Sequence, residues 1–241
     1  SPSQIPILDI GEYISGKNGA AERLSAALRD AQETVGFYYL VGHGVSRQTI
    51  AEAFATLAAF FALPEADKIA LKVNDQMIGY VPLRSTVYRS SKFNENTEKD
   101  MNETILLVRE RDTADQPDPE ARNRWPTGIE GFRDAMLRYQ VAMETLAHSL
   151  LPLYALALGK QADFFAEVFE QSSFICRNSH YPVTKLTENQ FGIAPHSDAG
   201  FLSLLPLSDV PGLEIMLPNG DWVAAAPVEG AILVNTGEFL N

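Results

Sequence analysis

Pro211-Gly212-Leu213-Glu214-Ile215-Met216-Leu217-Pro218-Asn219-Gly220-Asp221-Trp222-Val223-Ala224 reads as a β-hairpin before anything else is known of the chain. Two apolar runs, Leu213–Leu217 and Trp222–Ala224, flank a Pro-Asn-Gly-Asp cluster. The proline fixes φ and the glycine supplies a left-handed position, so the cluster is a tight turn. The same texture extends outward. Phe174–Tyr181, Phe191–Ala194, Phe201–Leu207 and Ala231–Asn235 are further short apolar runs separated by turn residues. Short strands recurring about every 8–12 residues predict a β-sandwich or barrel.

Upstream the pattern is helical. Residues 18–72 and 128–170 are rich in helix formers, and Leu24, Ala27, Leu28 and Ala31 follow i, i+3, i+4, i+7, an amphipathic face. That helix stops at Gly36, and the aromatic run Phe37-Tyr38-Tyr39-Leu40-Val41 predicts a short buried strand. A second helix is expected over Ile50–Leu63, ending at Pro64, and a long one over Glu130–Leu158, ending at Gly159. Between Asp75 and Arg124 the sequence is polar and reads as loop, with Asp115-Gln116-Pro117-Asp118-Pro119 plainly non-helical.

The chain has 241 residues, 46% apolar and 21% charged, enough for one sizeable core with an accessory segment. Its net charge of −12 would repel a polyanion, and no stretch concentrates Lys and Arg, so no nucleic-acid partner is expected. No apolar run approaches the roughly 20 residues that span a bilayer, and no secretory signal is visible at Ser1, so no membrane partner is expected. Cys176 is the single cysteine, which excludes an internal disulfide and suits a reducing compartment. A cytoplasmic monomer is the plain expectation.

The segment that carries chemistry is Ala194-Pro195-His196-Ser197-Asp198-Ala199-Gly200. In a strand, His196 and Asp198 would project to one face and Ser197 to the other. On a helix the same pair would diverge by about 200°, and Pro195 disfavours a helix interior. An imidazole and a carboxylate on one face are two of the three ligands of a 2-His-1-carboxylate facial triad, which holds Fe(II) and leaves adjacent positions open. By itself the triplet is better explained as a loop histidine beside a turn aspartate.

The surrounding sequence reverses that balance. Ile5-Pro6-Ile7-Leu8-Asp9-Ile10 resembles the opening strand of the isopenicillin-N-synthase-like family of iron(II) and 2-oxoglutarate-dependent dioxygenases. Gly36-Phe37-Tyr38-Tyr39-Leu40-Val41-Gly42-His43-Gly44-Val45 resembles that family's GFF-x-x-x-NHG segment, and Arg177-Asn178-Ser179-His180-Tyr181-Pro182 its LR-x-NYYP strand. His196-Ser197-Asp198 falls where the family has H-T/S-D. Leu202–Leu205, Gly212–Ile215, Asp221–Val223 and Val234–Glu238 track the later strands in order.

The resemblance implies a mainly β fold with helices: a double-stranded β-helix (jelly roll) preceded and wrapped by N-terminal helices. It divides the chain into a helical or mixed segment (1–125), long supporting helices (126–172) and the jelly-roll core (173–241). It further implies an oxidoreductase that takes Fe(II), 2-oxoglutarate, O₂ and a small-molecule substrate. The substrate would be hydroxylated, desaturated or cyclised while 2-oxoglutarate is decarboxylated to succinate and CO₂. His196 and Asp198 would be iron ligands. Tyr181 would sit where similar enzymes place a tyrosine hydroxyl on the 2-oxoglutarate carboxylate. Arg177 shares its strand face by alternation and reads either as a fork onto a carboxylate or as a structural ion pair. The family often has Asn where this chain has Ser179.

The family's second iron histidine, and the arginine beyond it that binds the far carboxylate of 2-oxoglutarate, have no counterpart between Asp198 and Asn241. Six strand runs are visible where a jelly roll has about eight. The core therefore reads as C-terminally incomplete, with the natural sequence expected to continue; the other reading is a degenerate relative. As it stands, the chain is expected to be unable to support catalysis by itself. Two functional alternatives also stay open: an oxidase of the isopenicillin N synthase type that takes no 2-oxoglutarate, and a non-catalytic jelly-roll binding protein.

The remaining candidates read as structural. His43, between two glycines, is expected to be a hydrogen-bonded histidine, His148 helix packing and Cys176 a small buried hydrophobe. Tyr80-Val81-Pro82, Arg84 and Arg89 fall in the loop region that shapes substrate pockets in similar enzymes, and each arginine singly reads as solvated.

Overall fold

The computed structural model describes residues 5–87, 95, 97–111, 115–185 and 187–237. Arg89 and Glu238 lie outside the described residues. In chain order the elements are β1 (Ile7–Asp9), α1 (Gly11–Ile14), α2 (Ala20–Thr34), β2 (Phe37–Val41), α3 (Arg47–Phe61), α4 (Glu65–Ile69), β3 (Gly79–Val81), β4 (Glu103–Val108), a 3-10 turn (Pro119–Ala121), α5 (Phe132–Ala157), α6 (Ala166–Phe169), β5 (Ile175–His180), β6 (Ser203–Pro206), β7 (Glu214–Met216), β8 (Trp222–Ala224) and β9 (Ile232–Asn235). Contacts divide the chain into two compact units: residues 1–47, 142–172 and 198–241, and residues 48–141 and 173–197. Among the described residues no helix is long and apolar enough to cross a membrane.

The first unit is built on a four-stranded sheet of order β1-β2-β9-β6. β1 runs parallel to β2, while β9 pairs antiparallel with β2 on one side and β6 on the other. The hairpin forms as read: Glu214 pairs Ala224 across β7 and β8, and the turn closes through Leu217 N–H to Asp221 O at 2.8 Å. Ile5, Val35, Tyr39 and Leu233 share one buried cluster with Ile215, Leu217 and Ala225 of the hairpin region. Removing such apolar area from water supplies roughly 25 cal/mol per Å². On α2, Ala20, Leu24, Leu28 and Ala31 are buried as the period demands, but Ala27 is exposed. Ser25 fills the buried stripe in its place, its hydroxyl satisfied by Glu22 O at 3.0 Å.

The second unit contains the principal departure from the sequence reading. The polar region between Asp75 and Arg124 holds two strands, β3 and β4, which pair antiparallel with each other and, through β4, with β5. Tyr80-Val81 is thus strand rather than loop, and Tyr80 is fully buried. β4 is the middle strand; Ile105 and Leu107 are 0% exposed, so it is covered on the face those two residues share. Its neighbour β5 covers most of the expected Phe174–Tyr181 run. Phe60 of α3 meets Tyr80 and Phe132 edge-on or tilted, at centroid separations of 5.9 and 5.8 Å, within the range where aromatic pairs attract.

At the start of β4, Glu103 is opposite His180 of β5, which puts both side chains on one face. Its carboxylate accepts from Lys68 Nζ at 2.7 Å, Tyr80 Oη at 2.5 Å and His180 Nδ1 at 2.8 Å. Burial by itself raises the Glu103 carboxyl, but these three donors outweigh it and hold it below its ordinary value of 4.5. A carboxyl depressed in the fold stabilises above its unfolded value, and that contribution is lost as pH falls through the lower folded value. Glu103→Gln leaves the buried Lys68 ammonium without its counter-charge and should cost about 3–5 kcal/mol near neutral pH. Urea unfolding checks this: the midpoint should fall at unchanged slope, and the gap between variant and parent should narrow below pH 4.5.

Candidate metal centre

His196 and Asp198 lie in residues 191–202, which have no regular secondary structure, so the expected strand through Phe191–Ala194 and the H-x-D triplet does not form. Pro195 offers no N–H to a ladder, and the preceding backbone groups are bonded elsewhere. Met101 N–H donates to Phe191 O at 2.9 Å, Asn102 Nδ2 to Gly192 O at 2.6 Å, and Ala194 N–H to Asp100 Oδ1 at 2.9 Å. Burial still alternates as the triplet requires, with His196 and Asp198 half-buried and Ser197 exposed.

His196 belongs to the unit that holds β3–β4–β5. Its Nδ1 lies 2.9 Å from Ala194 O. A carbonyl only accepts, so Nδ1 carries the proton and the ligand lone pair is on Nε2. Asp198 belongs to the unit that holds the four-stranded sheet. Its Oδ2 accepts from Ser203 Oγ at 2.6 Å and Asn235 Nδ2 at 2.9 Å. Both donors come from directly paired positions of β6 and β9. A hydrogen-bonded imidazole with a defined tautomer, and a carboxylate with one oxygen anchored, are each the kind of group that can ligate a metal. Among the described residues no group of three or more His, Cys, Asp or Glu could hold a metal ion.

Arg177 is exposed on β5, with Nε 3.4 Å from Ser179 Oγ, as alternation requires. Its charge acts on Asp100, a buried residue. Burial raises the Asp100 carboxyl above its ordinary range, while the Ala194 N–H, the Thr86 hydroxyl, Arg177 and His196 act in the opposite direction. Tyr181, just past β5, is 50% exposed, and its ring lies against Gly192 so closely that a Cβ there would come within 2.9 Å of it. Arg177 and Tyr181 are thus tied to the segment that ends at His196, through Asp100 and Gly192.

The structural expectations hold for the other candidates. His43 Nδ1 accepts from Val45 N–H at 3.1 Å and Nε2 donates to Gly230 O at 3.0 Å. His148 pairs loosely with Glu144 one turn away, at 3.8 Å. Cys176 is buried and its thiol is pushed up to about 11, chiefly by burial, so it stays protonated. Arg84 is exposed.

Four residues that matter here carried no functional signal in the sequence reading: Asp100, Ser203, Asn235 and Gly237. Ser203 was visible only as part of the Leu202–Leu205 run, and Asn235 and Gly237 only as part of the Val234–Glu238 run. A Cβ on Gly237 would collide with the carbonyl oxygens of Asp198 and Gly200.

Two family models match the chain. Residues 5–128 match the non-haem dioxygenase in morphine synthesis N-terminal model and residues 171–241 the 2OG-Fe(II) oxygenase superfamily. A 2-oxoglutarate-Fe(II) type oxidoreductase, hxnY of Emericella nidulans, is 29% identical over 100% of this chain and 71% of its own length. Kihadalactone A synthase LFS of Citrus sinensis is 30% identical over 99% of this chain and 74% of its own. Among solved structures, a full-length Neurospora crassa protein in complex with alpha-KG superposes with a TM-score of 0.85 at 25% identity, over 98% of this chain and 74% of that one.

The close approach at Gly237 gives a direct test. Gly237→Ala must displace the Asp198 backbone and should cost about 1–3 kcal/mol, as overpacking does. Gly128, exposed and with open space where a Cβ would go, is the control. Gly128→Ala should stay within about 0.5 kcal/mol of the parent in the same thermal-unfolding series.

Proposed function

From the premise that this chain belongs to the 2OG-Fe(II) oxygenase superfamily, we propose that His196 and Asp198 are two of its iron ligands and that Tyr181 and Arg177 serve its cosubstrate. The chain is an iron(II)- and 2-oxoglutarate-dependent dioxygenase, an oxidoreductase acting on a small molecule with O₂. Relatives named for 2-oxoglutarate favour this reading over an oxidase that dispenses with it, and over a non-catalytic binding protein. The finer fold assignment, a jelly roll for the β core, is part of the same proposal and is supported by the likeness to the Neurospora crassa structure. A cytoplasmic setting also belongs to it, supported by a single cysteine that is buried and protonated.

The observation that carries the ligand assignment is the hydrogen bond from His196 Nδ1 to Ala194 O, which defines Nε2 as the metal-binding nitrogen. The bonds from Ser203 and Asn235 to Oδ2 fix the orientation of the Asp198 carboxylate, as the surroundings of a metal-binding carboxylate do. Iron(II), when bound with 2-oxoglutarate, supplies the chemistry that couples decarboxylation of the cosubstrate to oxidation of the substrate. The chain's own groups hold and orient. The Tyr181 hydroxyl donates to a cosubstrate carboxylate, and the Arg177 guanidinium offers a planar fork to a second one or to the substrate.

The test uses the full natural chain. His196→Ala and Asp198→Ala should each abolish Fe(II) binding by anaerobic titration together with 2-oxoglutarate-dependent succinate formation, since an incomplete facial site remains. Full activity in either variant would end the assignment. Tyr181→Phe removes one hydrogen bond and should raise the apparent KM for 2-oxoglutarate roughly two- to tenfold with kcat little changed. Steady-state kinetics in 2-oxoglutarate reads this.

A further inference from the structure

Asp100 precedes β4 and is 94 residues away in sequence from the segment it holds. It is 1% exposed, and a carboxylate is among the side chains least often buried without a specific task. Its Oδ1 accepts the Ala194 N–H at 2.9 Å, and the carbonyl of that residue accepts His196 Nδ1–H at 2.9 Å. Asp100 itself is fixed from the other side. Its N–H donates to Thr86 O at 3.0 Å, and the Thr86 hydroxyl lies 3.4 Å from its Oδ2. The following residues, Met101 and Asn102, fasten the carbonyls of Phe191 and Gly192.

Hydrogen bonds in series polarise one another, so an acceptor placed on the Ala194 N–H makes that residue's carbonyl a better acceptor for the imidazole proton. A stronger bond at Nδ1 fixes the ring and raises the basicity of Nε2, which is how an outer partner strengthens a metal-binding histidine.

We propose that Asp100 is a positioning residue for His196, acting through Ala194 to hold the imidazole in its metal-binding tautomer and orientation. The inference rests on the assignment of His196 as an iron ligand. Asp100 touches neither iron nor substrate; it acts on the nitrogen that meets the metal.

The experiment is anaerobic titration of the full natural chain with Fe(II), and with Co(II) as a paramagnetic probe, in the parent and in Asp100→Ala, Asp100→Asn and His196→Ala. Asp100→Ala removes the acceptor and should weaken metal binding by about 10–100-fold. Asp100→Asn keeps an oxygen for the Ala194 N–H and should lie between parent and Asp100→Ala, so the assignment stays testable if the alanine variant fails to fold. In the Co(II) form, the exchangeable Nδ1–H resonance of His196 should shift, and exchange faster with solvent, in both Asp100 variants. Loss of folding stability alone would not move it. Parent-like metal affinity and an unmoved resonance in both variants, with binding still lost in His196→Ala, would overturn the role of Asp100 and leave the ligand assignment standing. Parent-like binding in His196→Ala would remove the assignment and this inference with it.

Discussion

The register of β9 is the constraint on which the position of the Asp198 carboxylate depends. In the antiparallel ladder Asn235 is directly opposite Phe37 of β2 and Ser203 of β6. Residues directly opposite each other point to the same face, so the Asn235 amide and the Ser203 hydroxyl converge, and both donate to Asp198 Oδ2. Slipping β9 by one residue would turn Asn235 to the other face and carry buried Ile232, Leu233 and Val234 with it. Asn235 would then no longer face Ser203, so the register sets the pair of donors that the carboxylate accepts. Two residues on, Gly237 continues the constraint, because only a residue without Cβ lets the backbone pass so close to Asp198 and Gly200.

His196 is held by a different physical device. Its segment has no ladder, so backbone groups of Phe191, Gly192 and Ala194 find partners in side chains and backbone from 100–102. Such point attachments hold in place a segment that has no strand of its own. The attachments come from the residues that lead directly into β4, the middle strand of its sheet, so the loop inherits the rigidity of a strand it does not join. Glu103, next in line, is locked in turn by Lys68, Tyr80 and His180.

What the sequence made legible follows the same distinction. The hairpin β7–β8, the strand β2 and the helices α2 and α5 were readable because their signals are local: turn residues, alternation, and apolar period. The end of α5 was readable for a local reason too, since Gly159 takes the left-handed conformation that caps a helix. β4 was hidden because Glu103-Thr104-Ile105-Leu106-Leu107-Val108 is short and embedded in polar sequence, although its β-branched and apolar content was there to be weighed. The strand expected through His196 failed because periodicity reports which side chains face together and not what the backbone bonds to. Burial of His196 and Asp198 alternates about Ser197 without any ladder. Asp100 and Asn235 were out of reach, since their significance is a contact made across 94 and 37 residues of chain.

Charge closes the argument. The chain carries −12, yet its cosubstrate is a dianion. At physiological ionic strength exposed charges are screened over about 8 Å, so the overall balance hardly bears on binding at a particular site. What decides is the local set of donors, and Arg177 and Tyr181, the residues proposed for the cosubstrate, are both exposed in the unit that holds His196. Asp100 lies in the same neighbourhood but is buried, its acceptor capacity directed at the Ala194 N–H and the Thr86 hydroxyl. On the proposed assignment, the buried Asp100 carboxylate is directed at the Ala194 peptide rather than at the anion, while Arg177 on the same unit is exposed.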